Sequence, residues 1–357
     1  VRVTLRDIAG EAGVSLMTVS NVINGNHAKV SQATIARVQQ IVDRRGYVPS
    51  ASARTLATRS SRLIGLLVPS GDDDSLVLSP HNVAVFGIIE RQLRDSGYHL
   101  LFRGVSSPAE VDAALRSWNL DGAVLLGFLD EDVEHFEPPA GTPVLALDSY
   151  SPNPRTTGVR SDDFEGGRLA AAHLIEHGHR RIVFAGPAFS EVGVVRQRFD
   201  GFLQAHRDAG LAWNESDQSV ADTSYERGIE LGQALVAEHP GVTAVFATAD
   251  ILAIGLMEGL RQAGVGVPDE VSVVGFDNLD LGRYVTPKLT TVAQDVVAKA
   301  SAAVRLLLMQ IEDAGTSAKP VVLGVELVAR ESVTACPTGA SRRSTDDSAG
   351  PGESTSL

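Results

Sequence analysis

Three histidines are the first residues whose spacing could support chemistry. His173 and His177 stand four apart on a stretch with helical periodicity, the spacing of a two-histidine metal site, and His179 follows closely. A tetrahedral site needs further ligands, and no thiol lies near them. Cys336 is the single cysteine, which excludes an intramolecular disulfide and a cysteine cluster for zinc or iron-sulfur binding. "GDDDS" at 71–75 could be imagined as a cation loop but reads better as a solvated loop preceding a helix. "GFDNLDLG" lacks the glycine spacing that cradles phosphate. With no nucleophile, base or metal cluster in sight, no catalytic residue, metal or cofactor is expected, and the chain does not read as an enzyme. The remaining chemistry is recognition.

The stretch "LRDIAGEAGVSLMTVSNVINGN" from Leu5 to Asn26 carries the clearest recognition pattern. Thr4 offers a cap with Asp7 three residues on, and Ile8, Ala9 and Ala12 share one helical face. Gly13 is the natural stop, where a left-handed backbone costs least. Ser15 caps a second helix with Val19, Val22 and Ile23 inward, ending at Asn24-Gly25. Ser31 opens a third, striped by Ile35, Val38, Ile41 and Val42, with Gly46 beyond its end. Three helices enclosing one small core predict a helix-turn-helix, whose second helix enters the major groove while the first crosses the backbone. A helical bundle with no nucleic-acid role is the plainer alternative. Charge argues for DNA: the first 62 residues hold nine Lys and Arg against three Asp and Glu, and the rest hold 22 against 41.

Those helices need a body to position them. A chain of 357 residues exceeds one ordinary core, so two or three domains are expected. The segment "YVPSASARTLATRSSR" from Tyr47 to Arg62 reads as a linker. Beyond it, apolar runs such as "LIGLLVP", "HLLFRGV", "GAVLLGF", "VLALDS", "RIVFAGP", "AVFATAD" and "VSVVGFD" alternate with amphipathic helical stretches. Strands buried on both faces read this way, which predicts parallel sheets flanked by helices. Ligands in such folds sit outside the carboxyl ends of the strands, so residues just after each run are suspects. The run from Cys336 is low-complexity and is expected to be disordered. No apolar run is long enough to span a bilayer, and the start lacks an apolar signal core; a reducing cytoplasmic compartment is expected, with no membrane partner.

The pattern "VTLRDIAGEAGVSLMTVSNVING", then "VSQATIARVQQIVDRRGYVPSASARTLATRSSRLIGLLVP", resembles the LacI family of bacterial transcriptional regulators. "GGRLAAAHLIEHGHRRIVFAGP", "RQRFDGF", "VSVVGFDN" and "LTTVAQD" extend the resemblance from about Thr4 to Val333. It implies an all-α helix-turn-helix headpiece over 1–47, a hinge over 48–61, and a two-lobed α/β effector-binding and dimerisation domain over 62–335, similar to periplasmic binding proteins, before a disordered tail over 336–357. It also implies a homodimer on near-palindromic double-stranded operator DNA, repressing carbohydrate uptake or catabolism genes and released allosterically by a small sugar. A purine or phosphorylated effector is the alternative within the family, and a solute-binding transport protein the alternative outside it.

By the same resemblance Thr4, Leu5, Ser15, Leu16, Met17, Thr18, Ser20, Asn21 and Asn24 contact DNA. Leu16, Met17 and Asn21 take the base-reading positions, where the first two offer apolar contacts such as with a thymine methyl. Thr18 and Ser20 suit phosphate. Leu56 matches the hinge leucine that wedges into the minor groove. Asp148, Arg198 and Asp277 fall in the effector cleft, with Tyr225, Phe276 and Tyr150 as candidates for a ring against the sugar. Where many members read "AND", this chain has Ala249-Asp250, so an amide contact is missing and Asp250 is expected to be structural.

Overall fold

The computed structural model describes residues 3–47, 60–70, 79–313 and 318–337. The hinge, including Leu56, the 71–75 loop and most of the tail lie outside them.

The headpiece holds α1 (Leu5–Ala12), α2 (Leu16–Ile23) and α3 (Gln32–Arg45). Thr4 and Asp7 form the reciprocal cap expected, and Gly13 closes α1 at φ 63°. Ile8, Ala9, Ala12, Val19, Val22, Val38 and Ile41 make the core, and Glu11 pairs with Arg44 and Arg45 to tie α1 to α3.

The body contains two six-stranded sheets. The first runs β11-β5-β4-β3-β1-β2, all parallel, from β1 (Leu63–Pro69), β2 (His99–Val105), β3 (Gly122–Leu126), β4 (Val144–Leu147), β5 (Thr157–Ser161) and β11 (Val321–Leu323). The second runs β12-β10-β9-β8-β6-β7, from β6 (Ile182–Gly186), β7 (Gln218–Val220), β8 (Ala244–Ala247), β9 (Ser272–Asp277), β10 (Thr290–Gln294) and β12 (Val325–Val328), with β12 antiparallel to β10. Every apolar run picked from the sequence forms a strand. Both faces of each sheet are covered by buried apolar clusters, as parallel sheets require.

Helices α4 (Pro80–Asp95), α5 (Pro108–Ser117) and α6 (Asp130–Glu134) serve the first lobe; α7 (Asp163–Glu176), α8 (Val194–Asp208), α9 (Tyr225–Glu238) and α10 (Asp250–Gln262) serve the second. The chain crosses between lobes after β5, after β10 and between β11 and β12. The second crossing leads into α11 (Val296–Glu312), whose Ala300, Ala303 and Leu307 pack in the first lobe with Ile64 and Leu145. Crossing strands side by side form a hinge: Asp162 N donates to Leu323 O at 2.8 Å, and Ser161 Oγ donates to Gln294 Oε1 at 2.7 Å.

Candidate functional site

The headpiece presents one candidate surface. Ser15 turns the chain into α2, its Oγ accepting from Thr18 N at 3.1 Å and sharing a 2.9 Å hydrogen bond with the Thr18 hydroxyl. Because Val19 and Val22 are drawn into the core, residues 16, 17, 20, 21 and 24 fall on the opposite side. Leu16 and Met17 are 47% and 69% exposed, unusual for large apolar side chains on so small and basic a body. Ser20 accepts from the Asn24 amide at 3.2 Å, and Asn21 is half-buried beside them. Thr4 is exposed at the start of α1, whereas Leu5 is partly buried against the core.

In the body, Asp148 directly follows β4 and Asp277 ends β9, and both hold left-handed backbone, φ 53° and 116°. Such backbone in a non-glycine residue concentrates at functional sites. Asp148 accepts from Lys299 Nζ at 2.5 Å, and Lys299, fully buried on α11, also donates to Gln294 Oε1 at 2.5 Å. Gln294 Nε2 in turn donates to Asp277 Oδ1 at 2.7 Å. A continuous polar chain therefore runs from one lobe to the other through a crossing strand. Burial would raise the Asp148 carboxyl, but the Lys299 charge, helped by His81, outweighs it and holds it well below the usual carboxylate range.

Arg198 on α8 reaches the same region. Its Nε and Nη2 donate to Asp163 Oδ1 at 2.9 and 2.8 Å, and Nη1 donates to Thr248 O at 2.5 Å. Five N–H donors on a guanidinium leave two for another partner. The guanidinium lies 3.5 Å from the centre of the Phe276 ring. Phe276 is fully buried beneath it, so the ring underlies the arginine rather than facing the cleft. Tyr150 bridges the lobes, its O–H donating to Asp163 Oδ2 at 2.9 Å, while Arg160 covers its ring at 4.4 Å. Burial lifts the Asp163 carboxyl above its ordinary value, with Arg198 pulling the other way.

Close helix packing makes this geometry possible. A Cβ on Gly167 would stand 1.9 Å from Arg198 O, and one on Gly201 would stand 1.8 Å from Phe164 O. Only glycine at both lets α7 and α8 approach closely enough for Arg198 to meet Asp163.

Asp148, Arg198 and Asp277 thus converge near the hinge. Tyr225 lines a different groove, with Ile254, Met257, Val285 and Pro287 on the second lobe. Asp250 is buried and takes hydrogen bonds from Thr291 Oγ1 at 2.5 Å and Leu279 N at 2.7 Å; burial, and then Asp277, push its carboxyl up to about 8. Among the described residues no group of three or more His, Cys, Asp or Glu is placed to hold a metal. His179 instead bonds Thr243 Oγ1 and Thr334 O, and the His173 and His177 rings pack at 4.4 Å.

Sequence reasoning missed Asp163, Lys299, Gln294 and His81. His81 lies in the first turn of α4, well past the end of β1 and outside the strand-end rule, and Lys299 sits inside an ordinary amphipathic helix, so neither carried a signal.

A helix-turn-helix headpiece on a two-lobed α/β body, with a polar cleft at the hinge, defines a ligand-controlled DNA-binding regulator. Residues 4–50 match the bacterial regulatory proteins of the lacI family, and residues 171–333 match a periplasmic binding protein-like domain. The chain is 31% identical over 336 residues to the HTH-type transcriptional repressor PurR of Photobacterium profundum, covering 92% of this chain and 98% of that one. It is 32% identical over 338 residues to the HTH-type transcriptional regulator CelR of Thermobifida fusca, covering 93% and 98%. Among solved structures, a lac repressor dimer bound to operator and the anti-inducer ONPF superposes with a TM-score of 0.80 at 25% identity, covering 94% of this chain and 100% of that one. A CelR–cellobiose complex gives 0.70 at 29% identity, covering 93% and 100%. The chain belongs to the LacI family and is a transcriptional regulator.

Proposed function

We propose that the chain acts as a homodimeric repressor of carbohydrate uptake or catabolism genes, gripping a near-palindromic operator and letting go when a small sugar enters the cleft. It works where the chromosome is, in the cytoplasm. The observation that carries this is the convergence of Asp148, Asp277 and the two remaining Arg198 donors beside the crossing strands. Carboxylates and a guanidinium can each engage adjacent hydroxyls, and a ligand bridging them alters the lobe angle and hence the spacing of the headpieces. The ligand shifts the equilibrium only by its differential affinity for the two arrangements. Asp148, Arg198 and Asp277 are the proposed contacts, with Phe276 acting through Arg198; Tyr225, in its separate groove, is left out of the site. On the DNA side, Thr4, Ser15, Thr18, Ser20 and Asn24 position the headpiece, Leu16, Met17 and Asn21 read bases, Leu5 supports α1, and Leu56 wedges at the operator centre.

The PurR relatives favour a purine instead. A planar base wants an uncovered aromatic face, and here arginines cover those of Phe276 and Tyr150. Thermal-shift screening of sugars and purines, followed by gel shifts on the promoter-proximal operator with each hit, tests the proposal. A sugar that raises the melting temperature and releases DNA is expected; release by purines alone refutes it.

A further inference from the structure

One carboxylate takes hold of the chain at the point where the linker enters the body. Asp121, directly ahead of β3, accepts four hydrogen bonds from three consecutive residues: from Ser60 Oγ at 2.5 Å, Ser61 N at 2.8 Å, Ser61 Oγ at 2.9 Å and Arg62 N at 3.1 Å. A carboxylate offers about four lone-pair sites, so both oxygens are fully used. The backbone completes the junction. Asp121 N donates to Leu63 O at 2.9 Å and His99 N donates to Arg62 O at 2.7 Å, so the entering chain is fastened to the starts of both β3 and β2. Arg62 holds left-handed backbone at φ 56°, which a non-glycine residue keeps only where its surroundings enforce it. Its guanidinium lies 4.8 Å from the centre of the Tyr98 ring.

The junction lies at the opposite end of the first sheet from the cleft. Asp121 precedes β3, whereas Asp148 follows the parallel neighbour β4. α11 spans that distance: near its start Lys299 bonds Asp148, and near its end Leu307 and Ile311 reach Gly122, the residue after Asp121. A Cβ on Gly122 would stand 2.9 Å from Leu307 Cδ1 and 3.1 Å from Pro143 O, so helix and strand close on each other beside the junction.

We propose that Asp121 is the positioning residue that clamps the headpiece linker to the first lobe, so that the orientation of the lobe sets where the headpiece stands. The inference rests on the paired operator grip proposed above and is independent of which effector fills the cleft. An ionised acceptor makes hydrogen bonds roughly twice as strong as a neutral one, which suits a joint that must carry motion without slipping. With the clamp removed, the chain swivels at residues 60–62. Each headpiece still fits its half-site, but the second one is presented to the duplex at a lower effective concentration. Asparagine at this position exchanges one acceptor oxygen for a donor that faces other donors, and loosens the joint without abolishing it.

The test uses the full chain and two duplexes: a palindromic operator selected by the parent protein from a random-sequence library, and the same duplex with one half-site scrambled. Proteins are the parent, Asp121→Ala, Asp121→Asn, and the double variant Ser60→Ala/Ser61→Ala, which removes two donors from the linker side. Fluorescence anisotropy measures both affinities, while melting temperature and sedimentation check folding and dimerisation. The parent is expected to prefer the palindrome by at least about 100-fold. Asp121→Ala should lose about 10- to 100-fold on the palindrome and stay within about twofold of the parent on the single half-site, with Asp121→Asn and the serine double variant in between. A defect of folding alone lowers both affinities together, so the ratio of the two isolates the positioning role. Should Asp121→Ala not fold, the serine double variant decides the matter from the other side of the same bonds. An equal loss on both duplexes, or a palindrome preference that no variant changes, overturns the clamp while leaving the paired grip standing. A parent that binds the two duplexes alike overturns both.

Discussion

At the scale of single residues, the same side-chain type has opposite meanings at neighbouring positions. Met17 and Val19 lie two apart on α2, one 69% exposed and the other fully buried. Met17→Ala should leave the headpiece stability within about 0.5 kcal/mol of the parent while weakening operator binding in gel shifts. Val19→Ala should instead destabilise the headpiece by roughly 1–3 kcal/mol, since its methyls fill the small core. In the body, Arg198→Ala should abolish the effector response and cost about 3–5 kcal/mol of stability, because Asp163 would remain buried and uncompensated. Denaturant unfolding, with the Arg198→Ala/Asp163→Asn double variant as control, checks this; partial recovery in the double variant is expected. Asp250 sets a pH dependence. Its folded carboxyl is raised to about 8 from an ordinary 3.8, so its contribution to stability is complete below pH 3.8 and is lost as pH climbs to about 8. Melting curves of Asp250→Asn should therefore gain on the parent between pH 5 and pH 8, and a constant difference would contradict the raised carboxyl.

At the scale of elements, position along the fold decides what a helix does. α7 and α8 pack at glycines so that a buried ion pair can form between them, and Gly201→Ala drives a methyl into Phe164 O. Its cost should be about 3 kcal/mol or more, with loss of effector binding alongside, measured by urea unfolding and calorimetry. α11 follows β10 out of the second lobe and packs in the first. That crossing brings Lys299 to Asp148, 151 residues away in sequence. Helical periodicity identified the apolar stripe of each headpiece helix, because local contacts suffice there. It could not single out Lys299, whose role depends on a partner from another strand.

At the scale of the whole molecule, charge is divided between a basic head and an acidic body. The head supplies counterion release on a duplex, and the body discourages nonspecific adhesion. Operator affinity should therefore fall steeply and linearly on logarithmic axes between about 50 and 200 mM salt, losing a factor of about 10³ or more. A flat profile in filter binding would sink the two-part charge design. Three crossings and the Ser161–Gln294–Asp277 hydrogen bonds tie the two lobes together at the hinge.

The sequence alone determined the three headpiece helices, their caps and core, the division of charge, and the seven apolar strand runs, all properties set by near neighbours and periodicity. It also placed Asp148 and Asp277 at strand ends, where parallel sheets put their ligands. Tertiary structure alone decided that Arg198 is pinned on Asp163, that Phe276 lies beneath the guanidinium, and that Tyr225 faces another groove. It alone set His81 between two carboxylates from different lobes. Such placements arise from chain crossings that bring distant residues within hydrogen-bonding range, and pairing over those distances leaves no periodic trace in a sequence.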